Sequence, residues 1–293
     1  MSSTIHGTSR TQGNLKLIPG QHRLDELVML IVKNSRDRGD SLTSLQKEAL
    51  RATSKGQVLG SGKSTYELIK FYQPIFDKLF FLGSLKGRLK ITATGKWANQ
   101  EGNYGWANFD SQRRDKAKIA VNTMMDNGQN RILRHMGTLL HEMIQGFLLI
   151  YMVPRYNKER RSFNNGHGYT GHGSAWHDIA YALEKASDHS TLMDIKLPMG
   201  RDVALWGEMV QAQTRGEKID PNKWGLGQNR RKNPGNMSCS TCMPGGQLNP
   251  GGQLIPGGQM IQRQNNSFGI HIMGPGWQQF IQIPYLSNIG VQL

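Results

Sequence analysis

His141 and Gln145 stand four residues apart, with Glu142 beside the first, in a run whose apolar residues are Leu133, Met136, Leu140, Ile144, Phe147 and Leu148. Residues four apart share one face of a helix. The periodicity therefore predicts a helix that presents His141 and Gln145 together, with Glu142 alongside. An imidazole followed by a carboxylate is the first half of a metal-binding His-Glu-x-x-His helix, in which the glutamate acts as a base beside the metal. In this chain the second histidine is Gln145. An amide oxygen is a neutral and weaker zinc donor than imidazole, so the change predicts weak metal binding and impaired hydrolysis. Downstream, Gly171-His172-Gly173 offers another imidazole in a turn, followed by Trp176. A catalytic zinc takes three protein ligands and keeps one position open to water. His141 and His172 supply two. The third place falls to Gln145 itself or to a loop histidine, for which His167, between Gly166 and Gly168, is the candidate. His177 and His189 read as helix-edge or surface residues, and His135 turns away from the His141 face.

Three stretches occur in order: Phe76-Asp77 with Phe80-Phe81-Leu82-Gly83-Ser84-Leu85, then Leu139-Leu140-His141-Glu142-Met143-Ile144, then Gly171-His172-Gly173 with Trp176. Together they resemble the SprT family of zinc metalloproteases, which includes the Spartan proteases that act on DNA–protein crosslinks. The resemblance covers residues 64–215, more than half the chain. It implies an α+β, zincin-like domain with a small β-sheet packed against the active-site helix. It also implies a zinc cofactor, Glu142 as the catalytic base, His141 and His172 as metal ligands, and a protein substrate associated with DNA. Gln145 occupies a ligand position of the family pattern and departs from it. The alternative is a catalytically inactive relative that serves as a nucleic-acid or protein binding module.

Charge bears on the partner. The 36 Lys and Arg against 21 Asp and Glu give a net charge of +15. Such a field favours polyanions, with nucleic acid the simplest. Arg113, Arg114, Lys116 and Lys118 form one local basic cluster, and Arg155, Lys158, Arg160 and Arg161 another, between the two metal motifs. Each cluster alone reads as solvated loop charge. Placed on either side of a cleft, they would contact phosphate without sequence preference. Two cysteines exclude a disulfide-rich scaffold. Neither a signal peptide nor a run long enough to cross a membrane is visible. The expectation is a nuclear or cytoplasmic protein, not secreted, with no membrane partner.

The elements that must position the site follow from local pattern. Residues 1–63 read as an N-terminal extension with two short helices, around Leu24–Ile31 and Leu42–Leu50, with Ser41 as cap of the second. Gly60-Ser61-Gly62-Lys63-Ser64-Thr65 invites a phosphate-loop reading, but the required first glycine falls on Gln57. Ser64 with Glu67 fits a capping box instead, opening a helix with Leu68, Tyr72, Ile75, Phe76 and Leu79 on one face. Residues 88–92 and 118–122 alternate as strands. The resemblance puts the second of these beside the substrate cleft, with an edge open to an extended peptide. Trp97, Tyr104, Trp106 and Phe109 form either a packed hairpin or a surface for stacking bases. Trp176, Ile179, Ala180, Leu183 and Ala186 predict one more helix, and Val203, Leu205, Trp206, Met209 and Val210 the last.

Residues 216–293 read as a flexible Gly/Pro/Gln-rich tail. It carries three copies of a Pro-Gly-Gly-Gln hexapeptide from Pro244, and an isolated Cys239-x-x-Cys242 pair that lacks partners for a zinc ribbon. Trp277, Phe280, Ile283 and Tyr285 suggest a short docking segment.

Overall fold

The computed structural model describes residues 17–36, 42–55, 64–95, 104–110, 112–113, 115–123, 131–153, 162–227, 267–274 and 277–284. Among them are six α-helices: α1 (Leu24–Arg36), α2 (Ser44–Lys55), α3 (Thr65–Phe80), α4 (Arg131–Tyr151), α5 (Ser174–Ser187) and α6 (Arg201–Gln213). Three strands, β1 (Leu89–Thr94), β2 (Gly105–Phe109) and β3 (Ala117–Asn122), form a small mixed sheet in the order β1-β3-β2. β3 is parallel to β1 and antiparallel to β2. The fold is mixed α+β, which agrees at that coarse level with the class that the resemblance implies.

α4 is the axis of the packing. Its residues Met136, Leu139, Leu140, Met143, Ile144, Phe147 and Ile150 are all buried. The sheet lies against it through β2 and β3, and α3 and α5 cover other sides. Each large apolar side chain removed from water here contributes about 1.5–3 kcal/mol, so α4 is fixed by its surroundings more than by helix propensity. α1 belongs to the same core: Leu27 and Ile31 are buried in one cluster with Phe76, Phe147 and Trp176. Beyond residue 215, Trp224, in a short 3-10 helix (Pro221–Trp224), packs with Phe163 and Leu205. The packed unit thus runs past residues 64–215 at both ends.

Local rules explain how α3 starts and stops. Ser64 and Glu67 form the expected capping box, which is the helical role that displaces the phosphate-loop reading. At the other end Asp77 organises the turn into β1. Its backbone carbonyl accepts from Phe81 and Gly83 N–H at 2.9 Å each, and its carboxylate accepts from Leu85 N–H at 3.0 Å. Leu82 takes a left-handed conformation (φ 61°) inside this turn, an uncommon state for a non-glycine residue.

Three expectations change. α2 is capped by Thr43 with Gln46, not by Ser41: Thr43 Oγ1 accepts from Gln46 N–H, and Gln46 Oε1 accepts from Thr43 N–H. β3 is the central strand, with partners on both sides, so it has no edge to offer a peptide; the edge next to α4 is β2. Within the tail, β4 (Ser267–Gly274) and β5 (Trp277–Pro284) pair antiparallel as a hairpin. Alternating Phe268, Ile270 and Ile272, followed in sequence by Gly274-Pro275-Gly276, carried that signal, but the overall Gly/Gln bias masked it. Cys239, Cys242, Trp97 and Tyr285 lie outside the described residues.

Asp77 is 4 % exposed, and burial pushes its carboxyl up to about 6, against the opposing effect of the Leu85 and Lys86 N–H groups. A raised carboxyl is more readily protonated in the folded state. Its stabilising contribution is full below the unfolded value of 3.8 and is lost as pH rises through about 6. Asp77→Asn keeps the acceptor and removes the titration. Relative to the wild type, the variant gains about 2–3 kcal/mol between pH 4 and pH 7. Urea unfolding at several pH values measures this, and parallel stability curves would refute it.

Candidate functional site

α4 delivers His141, Glu142 and Gln145 to one end of the core. His141 is 9 % exposed and Glu142 4 % exposed. His141 Nδ1 lies 2.8 Å from the Met199 carbonyl. A carbonyl only accepts, so Nδ1 carries the proton and the neutral ring leaves Nε2 with a lone pair. Burial drives the His141 pKa down to about 4, although the bond to Met199 favours the charged ring.

The Gly-His-Gly turn brings the second imidazole. His172 Nδ1 lies 2.9 Å from Thr170 Oγ1, and that hydroxyl donates to Glu208 Oε1 at 2.6 Å. With its hydrogen committed to the carboxylate, Thr170 Oγ1 faces His172 as an acceptor. His172 Nδ1 is therefore the donor, and its Nε2 also presents a lone pair. Burial, then the neighbouring His141, holds the His172 pKa well below the usual range.

The two Nε2 atoms are 2.8 Å apart. Gln145 Nε2 sits 2.5 Å from His172 Nε2 and 3.5 Å from His141 Nε2. Two lone pairs facing one another repel unless something electropositive stands between or beside them. Amide hydrogens from Gln145, a hydrogen on one of the two rings, or a cation accepted by both would answer that demand. Trp176, with no exposed surface, packs under both, at 4.6 Å from the His141 ring and 4.9 Å from the His172 ring.

Glu142 completes the cluster. Its Oε1 is 4.0 Å from His141 Nε2, and its Oε2 is buried with no hydrogen-bond partner among the described residues. Burial holds its carboxyl well above the usual carboxylate range. Gly105, at the start of β2, lies so close that a Cβ there would meet Glu142 Oε1 at 2.7 Å. The edge strand and the carboxylate thus share one wall.

His167 does not join the pair. Among the described residues no group of three or more His, Cys, Asp or Glu side chains is placed to hold a metal ion. His177 is not at a surface: it has no exposed area and packs between Phe163 and Trp224, with its pKa driven down to about 3, chiefly by burial. His189 is half-buried and bonded to Thr191. Of the eight basic residues, Arg113 pairs with Asp115 and Lys118 with Asp110, so acids within the same loop offset much of that charge. Lys116 lies between them, and Arg114, Arg155, Lys158, Arg160 and Arg161 lie outside the described residues.

Met199, Thr170 and Glu208 are absent from the sequence reading. A carbonyl leaves no trace in a sequence. Glu208 did leave one: Ala204, Glu208 and Ala212 are spaced by four and form the buried stripe of α6, whereas Trp206, expected inside, is 52 % exposed. No family profile, curated protein or solved structure matches the chain.

Replacing Trp176 with Ala removes the floor of both imidazoles. The expected loss is about 3–5 kcal/mol of stability, read by urea unfolding. A loss under 1 kcal/mol would mean that the indole is not packed as described.

Proposed function

We propose that the chain is a SprT-like zinc-peptidase-type protein acting on proteins associated with DNA, with activity impaired by Gln145. The observation that carries this reading is the pair of Nε2 lone pairs converging on one point, each with its Nδ1 held from behind. Proteins orient metal-ligating histidines in this way, with an outer acceptor fixing the tautomer. The donor set fits zinc at His141 and His172. Gln145 Oε1 becomes the third donor when the amide turns over, since the two ends of an amide are alike in shape.

Zinc held by these residues would supply Lewis acidity and lower the pKa of a water. Glu142 would take a proton from the attacking water as the water oxygen bonds to the peptide carbonyl carbon, and would return it to the departing amine nitrogen as the C–N bond breaks. A buried carboxylate with a raised pKa and an uncommitted oxygen suits that task. The outer edge of β2, beside Glu142, offers backbone groups to an extended peptide. The net charge of +15 supports a nucleic-acid partner.

One observation favours a second reading. With Gln145 Nε2 within reach of both Nε2 atoms, its amide hydrogens compensate the lone pairs without metal. That is an inactive relative serving as a binding module for nucleic acid or protein.

Elemental analysis of purified wild type and Gln145→His decides between them. The first reading expects about one zinc per chain in both, with at least about tenfold tighter binding in the variant. It also expects DNA-stimulated protein cleavage that falls by about 10²–10⁴-fold in Glu142→Ala. Zinc in the variant alone supports the inactive relative. Zinc in neither removes the site assignment.

A further inference from the structure

We propose that Glu208 is a positioning residue for the candidate centre, acting through Thr170 to fix which nitrogen of His172 carries the hydrogen. This rests on the reading of His172 as a ligand.

Glu208 has no exposed surface. Burying a carboxylate is costly unless it is fully hydrogen-bonded, and here every donor comes from one short stretch. Oε2 accepts from Tyr169 N–H at 2.7 Å. Oε1 accepts from Thr170 N–H at 2.7 Å, His172 N–H at 3.1 Å and the Thr170 hydroxyl at 2.6 Å. The loop is wrapped around the carboxylate. Gly168 (φ +75°) makes the wrap feasible, since a Cβ there would lie 2.5 Å from Glu208 Oε1.

Three of the four bonds hold the backbone, and any buried acceptor would serve them. The fourth does something different. Thr170 has a single hydroxyl hydrogen, and Glu208 claims it. The oxygen then has only lone pairs to show to His172 Nδ1, so the imidazole must place its hydrogen on Nδ1. Nε2 is left bare and aimed at His141 Nε2, 2.8 Å away. Without the carboxylate, the hydroxyl is free to donate to Nδ1. The ring then carries its hydrogen on Nε2 and cannot act as a ligand. The relay is an indirect form of the carboxylate–histidine pairing that tunes metal ligands.

A purely structural role for Glu208 makes a different prediction from the relay, and Thr170→Val separates them. Valine keeps the shape and all three backbone bonds but removes the hydroxyl. Two readouts are taken: long-range ¹H–¹⁵N spectra of His172 in metal-free protein, and zinc affinity by competition with a chromophoric chelator. The relay expects wild-type His172 to carry its hydrogen on Nδ1 and Thr170→Val to shift hydrogen to Nε2. It expects zinc affinity to fall by about 10–100-fold, with recovery in Thr170→Ser. Glu208→Gln, a weaker acceptor of the same shape, moves both readouts in the same direction. If Glu208→Gln does not fold, the Thr170 variants still decide.

An unchanged His172 tautomer in Thr170→Val, or no recovery in Thr170→Ser, overturns the relay, whatever the zinc result. If wild type binds no zinc but the tautomer shifts as expected, the relay stands and the zinc reading fails.

Discussion

Three polar side chains on a buried helix oblige the rest of the molecule to bring polar partners to them. His141, Glu142 and Gln145 sit on α4, which apolar residues cover over most of its length. A buried polar group without a partner costs about 1–3 kcal/mol, so each must be answered by another element. The segment before α6 answers His141 with the Met199 carbonyl. The 162–173 loop answers with His172 and thereby creates a new buried donor, Nδ1. Thr170 answers that donor, and Glu208 answers Thr170. The sequence of demands ends only at a carboxylate that accepts four hydrogen bonds. α4, the loop and α6 are thus tied together by polar accounting as much as by the apolar core.

The same logic works at the far end of α3. A helix leaves its last carbonyls unsatisfied, and here they are buried beneath α1 and α2. Asn34 Nδ2 donates to the Leu79 and Phe80 carbonyls at 3.1 and 3.2 Å, and Gln46 Nε2 donates to Leu79 at 3.1 Å. Gln46 also donates to the Asn34 carbonyl at 3.0 Å, which ties α2 to α1. The N-terminal helices therefore close the end of α3 just before the Asp77 turn. That turn sets β1, β1 pairs with β3, and β3 carries β2 against α4. Helices that read as an appendage in sequence help to aim the strand that borders Glu142.

What the sequence made legible is what apolar spacing encodes. Every residue that periodicity placed on the inner faces of α3 and α5 is buried, because apolar burial decides them, though each helix also buries others, among them Asp77 and His177. The capping box at Ser64 was legible because it is local. The errors share one cause. α6 was assigned its Trp206 face because Trp is apolar and Glu is charged, yet Glu208 is inside to meet the 169–172 loop. β3 was given an edge because alternation identifies a strand and not its place in the sheet. His177 was placed outside because a histidine carries no pattern, and only Phe163 and Trp224, distant in sequence, bury it. Polar groups enter a core through long-range partners, and a single sequence does not display these.

The cluster midway along α4 stays incompletely answered after all these partners are counted. Glu142 Oε2 has no hydrogen-bond partner among the described residues, and two imidazole lone pairs face each other. Elsewhere beside α4 a fully buried carboxylate, Glu208, is completely satisfied, whereas Thr138 Oγ1, Trp176 Nε1 and both His177 nitrogens also lack partners among the described residues. The α4 cluster differs in that an uncommitted carboxylate lies beside two imidazole nitrogens that face each other. Unmet demand in such a setting is the mark of a site shaped for something that arrives from outside. Gln145 is the group on which the outcome turns, because an amide is two-sided. Its NH₂ end removes the demand and closes the site upon itself. Its oxygen end adds a third donor and sharpens the demand for a cation. Histidine at this position would present one ring nitrogen, as donor or acceptor according to its tautomer. Gln145 therefore gives the site a self-satisfied state beside the one that, on the proposed reading, would take a metal.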